Sequence, residues 1–201
     1  MEERMFRKKR YRSMYLEKKK TVTPELFREI LSWLFYTVAA VFVAFVLVIC
    51  FGKRVRVIGE SMEPSLYNSQ SVLVDAIAYK LKAPKKDDVI VFLPNGNEKS
   101  HYYIKRVVAI PGETVRIEGG NLIVNGQTVV TEDREYDKME EAGIAENDIT
   151  LGNGEFFVLG DNRNSSEDSR SANIGVVKLS TIAGKAWFSY GTKEGKTGLV
   201  D

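Results

Sequence analysis

A serine hydroxyl becomes a nucleophile only when something nearby takes its proton, and this chain offers few groups for that task. There is one histidine, His101. A Ser-His-Asp arrangement would have to use it, yet Ser100-His101-Tyr102-Tyr103 reads as a loop entering a strand, where a lone histidine is surface decoration. The one cysteine, Cys50, falls inside a long apolar run and is expected to serve packing. What remains is serine paired with an amine whose pKa has been lowered by burial. Two segments have the right residues. In Gly59-Glu60-Ser61-Met62-Glu63-Pro64-Ser65-Leu66 a serine stands between glycine and proline where a strand ends. That setting exposes a hydroxyl and frees a backbone N–H, although it equally suits an ordinary turn serine. In the run from Tyr102 to Gly112, Lys105 and Arg106 are neighbours, and alternation along a strand points them to opposite faces. If Arg106 takes the wet face, Lys105 points inward and burial favours its neutral form. In the alternative, Lys105 is exposed and Arg106 has a buried partner; the residues alone leave both open.

Composition narrows the classes further. The 29 Lys and Arg nearly balance 27 Asp and Glu, for a net charge of +2, so there is no basic surplus to coat nucleic acid. One cysteine cannot form an internal disulfide, and one histidine with one cysteine cannot make a clustered zinc or haem site. At 201 residues the chain holds one ordinary domain plus an appendage.

That appendage is apolar. No charged residue occurs from Ile30 to Gly52, and the run between them is apolar on every helical face. About 20 helical residues cover a bilayer core of roughly 30 Å, so a single transmembrane helix is predicted over 30–52. Thr23 and Pro24 read as N-cap and first helical position, and Trp33 and Tyr36 sit where interfacial aromatics are expected. A cleaved signal peptide would end in small residues, which Val48-Ile49-Cys50-Phe51 does not provide. The first 30 residues carry ten Lys or Arg against five acids, so a basic tail over 1–29 is expected in the cytoplasm, with the body outside. Contact of that tail with lipid head groups would follow from its charge.

After residue 53 the pattern changes to β-branched and aromatic runs broken by Gly, Asn, Asp and Pro. Strands are predicted over 55–58, 71–75, 88–93, 102–110, 114–118, 122–124, 155–159 and 182–189, with a hairpin around Gly119-Gly120-Asn121 and a short helix over 75–81. Residues 131–154 are polar and acid-rich and read as a mobile inserted loop. The domain expected over 53–201 is therefore mainly β.

Three stretches now carry a family resemblance. Gly59-Glu60-Ser61-Met62-Glu63-Pro64, then Tyr103-Ile104-Lys105-Arg106 through Pro111-Gly112, then Gly160-Asp161-Asn162-Arg163 through Ser166-Glu167-Asp168-Ser169-Arg170 resemble, in the same order, three motifs of bacterial type I signal peptidases of the Gram-positive type, peptidase family S26. The resemblance implies a signal-peptidase/LexA-like β-fold behind one N-terminal anchor, and a serine endopeptidase that removes signal peptides from preproteins. It implies Ser61 as nucleophile, Lys105 as general base, Ser166 as the hydroxyl orienting the lysine, and Asp161, Asp168 and Arg170 as a supporting polar network. Val55, Val57, Leu66 and Ile104 fall where pocket residues for small side chains at the first and third positions before the cut would lie. Neither cofactor nor metal is implied; the implied partners are preprotein signal peptides and membrane lipids, at the cell membrane. Two departures stand out. Gly59 replaces a serine that many Gram-negative members use to bind the oxyanion, which leaves that task to the Ser61 backbone N–H and a water. Asp87-Asp88 replaces a usual Gly-Asp at a turn. A LexA-like repressor would carry a DNA-binding domain where this chain has its apolar run. A catalytically silent or specialised membrane-anchored assembly factor, for example pilus-related, is the other alternative.

Overall fold

A computed structural model describes residues 23–130, 134–191, 195 and 197–200. Most of the expected tail, residues 131–133 of the expected loop and the Cys50 side chain lie outside what is described. The chain divides into two units, residues 1–45 and 46–201.

The first unit is built on helix α1, which spans Pro24–Phe51 and continues into the second. Thr23 caps it as expected: the Leu26 N–H donates to Thr23 Oγ1 at 3.4 Å and the Phe27 N–H to the Thr23 carbonyl at 3.0 Å. Residues Pro24–Val48 are long and apolar enough to cross a membrane. The hydroxyls of Ser32 and Thr37 donate to the carbonyls of Arg28 and Trp33 one turn earlier, so even these polar groups are satisfied within the helix.

The second unit is mainly β. Its elements are β1 (Lys53–Arg56), β2 (Ser71–Asp75), α2 (Ala78–Leu81), β3 (Val89–Phe92), β4 (Tyr103–Ala109), β5 (Thr114–Glu118), β6 (Asn121–Val124), β7 (Gln127–Thr128), β8 (Ile149–Thr150), β9 (Glu155–Leu159), β10 (Val177–Lys178), β11 (Ile182–Tyr190) and β12 (Gly198–Leu199). Among the described residues, one antiparallel sheet runs β1-β2-β11-β3-β4-β9-β10, with β12 on β11, and a second runs β7-β6-β5-β8. Glu118 pairs with Asn121, so the hairpin loop is the two residues Gly119 and Gly120, both at positive φ as a type I′ turn requires. A second turn of this kind, Asn125-Gly126, joins β6 to the unpredicted β7.

The strand predicted over 55–58 lies two residues earlier, because β1 pairs with β2 from Lys53↔Val74 to Arg56↔Ser71. Residues 134–154 are more ordered than a loop. They carry a 3-10 turn at Gly143–Glu146 and strand β8, and they bury Met139, Ala145 and Leu151 against the second sheet. Those anchors lack any regular spacing, so periodicity could not reveal them.

Strand β4 is the structural centre. Ile104 enters one apolar cluster with Val89, Val91, Met62 and Leu66; Val107 enters another with Ile90 and Phe92; Val108 and Ala109 enter a third with Val115 and Phe157. Neither face of this strand is wet.

Candidate active site

Because β4 is covered on both faces, Lys105 and Arg106 point to opposite sides and are both buried, 4% and 1% exposed. This corrects the expectation that one of the two would face water. The two cations meet very different surroundings.

Arg106 meets a carboxylate. Its Nε and Nη2 donate to Asp161 Oδ1 and Oδ2, each at 2.7 Å, in a bidentate pair. Nη1 donates to the Asp87 carbonyl at 2.9 Å and Nη2 also to Ser65 Oγ at 3.4 Å. Asp87 has φ 69, the left-handed region in which glycine is unstrained, so the turn forms despite the departure from Gly-Asp. One guanidinium thus joins β4, the Ser61 loop, the Asp87 turn and the loop after β9.

Lys105 meets a hydroxyl. Its Nζ lies 2.6 Å from Ser61 Oγ in a hydrogen bond. Burial lowers the amine from 10.5 to about 8; the carboxylates of Asp168 and Glu167 work against that shift, and Arg170 adds to it. Residues 44 positions apart are brought together here by the fold.

The Ser61 loop is fixed locally. Gly59 turns at φ 85, and its N–H donates to Asn68 Oδ1 at 3.2 Å. Met62 and Leu66, both buried, anchor the loop in the core, and the Ser61 carbonyl accepts the Asn162 N–H at 3.1 Å. The Ser61 backbone N–H has no acceptor among the described residues.

The loop from Gly160 to Arg170 closes the site from the other side. Asp168, fully buried, accepts the Gly160 N–H at 3.1 Å through Oδ2 and pairs with Arg170, whose Nε donates to Oδ1 at 2.8 Å and Nη2 to Oδ2 at 2.9 Å. Ser166 Oγ is buried and has no hydrogen-bond partner among the described residues, so it is not joined to the Lys105 amine. Sequence reasoning gave no role to several supports. Arg163 stacks 3.8 Å from the Tyr136 ring centroid and its Nε donates to the Gly160 carbonyl. Asn164 holds residues 138–140 through the Lys138 carbonyl and the Glu140 N–H.

Gly160 is a further support. A Cβ there would lie 2.2 Å from Ser166 Oγ and 2.4 Å from the Ser61 carbonyl oxygen. Only a residue without a side chain lets the two loops meet. Gly160→Ala is therefore expected to cost about 1–3 kcal/mol, an overpacking penalty, measurable by chemical denaturation in detergent.

The groove beside Ser61 and Lys105 holds about 470 Å³, and its walls include Val57, Ile104, Tyr103 and Glu167, with exposed His101 at the rim. Val55 and Leu66 lie buried in the neighbouring cluster and do not line the groove. A larger cavity of about 600 Å³, lined by Arg106, Tyr136 and Arg163 among others, includes neither Ser61 nor Lys105, so volume alone does not find the site.

The family model described as signal peptidase, peptidase S26, matches residues 30–191. Signal peptidase I P of Bacillus subtilis subsp. natto is 32% identical over 165 residues, covering 77% of this chain and 85% of the relative. Signal peptidase IB of Staphylococcus aureus strain COL is 32% identical over 181 residues, covering 81% and 90%. A solved signal peptidase I from Enterococcus faecalis V583 aligns at 30% identity over 52% of this chain and 97% of its own, with a TM-score of 0.38.

Proposed function

Because the chain belongs to the signal peptidase family, peptidase S26, we propose that it is a membrane-anchored serine endopeptidase that removes signal peptides from preproteins with a Ser61–Lys105 dyad. The observation that carries the reading is the 2.6 Å contact between Ser61 Oγ and a buried amine lowered to about 8. An amine of that kind is neutral in a usable fraction near neutral pH and can take a proton.

In the reaction, Lys105 Nζ accepts the Ser61 hydroxyl proton as Oγ attacks the peptide carbonyl. The unpartnered Ser61 N–H is the donor available to the developing oxyanion. The ammonium then protonates the leaving amine, and the acyl-enzyme forms. Water, deprotonated by the same amine, attacks the ester and releases Ser61. Ser166, whose buried Oγ makes no hydrogen bond to Lys105 here, would have to turn toward the amine to orient it, and Asp161, Asp168 and Arg170 hold the two loops in register.

The substrate adds as a strand along β4, since β9 pairs with Arg106, Val107 and Ala109 and leaves the edge at 103–105 open on that side. Val57 and Ile104 favour small side chains at the first and third positions before the cut, with Val55 and Leu66 shaping the wall behind them. The positive charge of the tail over 1–29 favours an anchor over 30–52 with the tail in the cytoplasm and the catalytic domain over 53–201 outside.

The test is cleavage of a preprotein with Ala at those two positions, in detergent, from pH 6 to 10. The wild type is expected to cut at that site with an acid limb near 8, and Ser61→Ala to be inactive yet folded. An inactive wild type would overturn the proposal and favour the silent assembly factor, and an active Ser61→Ala would overturn Ser61 as the nucleophile.

A further inference from the structure

Glu167 lines the groove and is not used by the mechanism above. Its Oε2 accepts the Tyr103 O–H at 2.9 Å, a bond that crosses from the loop after β9 to β4. Tyr103 and Lys105, two apart, share a face of that strand, and the Lys105 Nζ lies 5.8 Å from the Tyr103 ring centroid. The contacts run in series from Ser61 Oγ through Nζ and the phenol, so the carboxylate lies within about four extended residues of the nucleophile.

Among the described residues Glu167 makes no ion pair, and its one hydrogen-bond partner is a neutral phenol. Oε1 is free to accept from a ligand. Elsewhere the groove wall is largely apolar or neutral: Val57, Ile58, Met62, Tyr102 and Ile104. Once Lys105 is neutral, as the reaction requires, Glu60 and Glu167 are the carboxylates left facing a bound peptide. A cation on that peptide is attracted and an anion repelled, and because both carboxylates are exposed the effect is screened by salt.

We propose that Glu167, positioned by Tyr103, is a specificity residue that favours substrates with a basic side chain, and disfavours those with an acidic one, within four residues of the cut. This rests on the reading that the groove binds an extended polypeptide beside Ser61 and Lys105.

The experiment compares kcat/KM for peptides bearing Lys, Gln or Glu in turn at each of the four positions on either side of the cut. At one position at least, the wild type is expected to prefer Lys over Glu by about tenfold at low salt, and by less at 0.5 M salt, where charges are screened. Glu167→Gln keeps an acceptor for the Tyr103 O–H, and it should reduce the preference to within about twofold; Glu167→Lys should reverse it. Equal rates for Lys and Glu at every position, or a preference that survives in Glu167→Gln, overturns this inference and leaves the peptidase reading standing. Failure of the wild type to cut even the Gln series overturns both.

Discussion

Lys105→Met is expected to lower kcat/KM by at least about 10³-fold at pH 8 while leaving the protein folded. General bases contribute about 10²–10⁴, and a base and nucleophile that act as one unit are lost together. Methionine matches the length and apolar stem of lysine, so the buried space stays filled. Stability should respond in the opposite sense to activity. The folded amine titrates near 8 and its ordinary value is 10.5, so between these the unfolded chain binds more protons and wild-type stability rises with pH. Below pH 8 the wild type carries the full cost of a buried charge, and above 10.5 that cost is gone. Thermal melts at pH 6 and pH 10 should therefore show the methionine variant gaining on the wild type at the lower pH and losing that advantage at the higher. Residual activity within tenfold of wild type would show that Lys105 is not the base.

Asp161→Asn is expected to destabilise the catalytic unit by about 3–5 kcal/mol, because it leaves the Arg106 guanidinium buried without its countercharge. Both side chains are 1% exposed, so water cannot take the place of the carboxylate. At about 2–4 °C per kcal/mol for a unit of this size, the melting temperature should fall by roughly 10 °C. Two independent features make the effect reach the dyad. Asp161 immediately precedes Asn162, whose N–H holds the Ser61 carbonyl, and Arg106 immediately follows Lys105. Replacing both partners, as Arg106→Met with Asp161→Leu, should recover much of the stability, since an apolar pair carries no unpaired charge. A drop of less than about 2 °C in Asp161→Asn, or no recovery in the double variant, would show that the pair is not the tie proposed here.

Local signals were readable where they were self-contained. The strands at 71–75, 114–118 and 155–159 appear with the bounds their residues predict, since each is a β-branched or aromatic run set off by turn formers. Two-residue strands such as β7 and β8 are too short to show alternation and carry no periodic signal. For the candidate site, the motif resemblance singled out Ser61, Lys105, Asp161, Asp168 and Arg170. The hydrogen bonds at Tyr103, Asn164 and Arg163 depend on loops meeting across the fold, and no spacing in the chain encodes them.

The sequence by itself determined a long apolar helix beginning at a Thr-Pro cap, a mainly β body, and the fact that Lys105 and Arg106 leave β4 on opposite sides. Each follows from short-range geometry: helical rise, strand alternation and the conformations open to glycine and proline. Only the tertiary structure decided that both sides of β4 are dry, that Arg106 would find Asp161, and that Lys105 would find a hydroxyl and, among the described residues, no carboxylate within hydrogen-bonding distance. Burial is set by what distant segments cover, and burial separates a structural cation from an amine able to lose its proton.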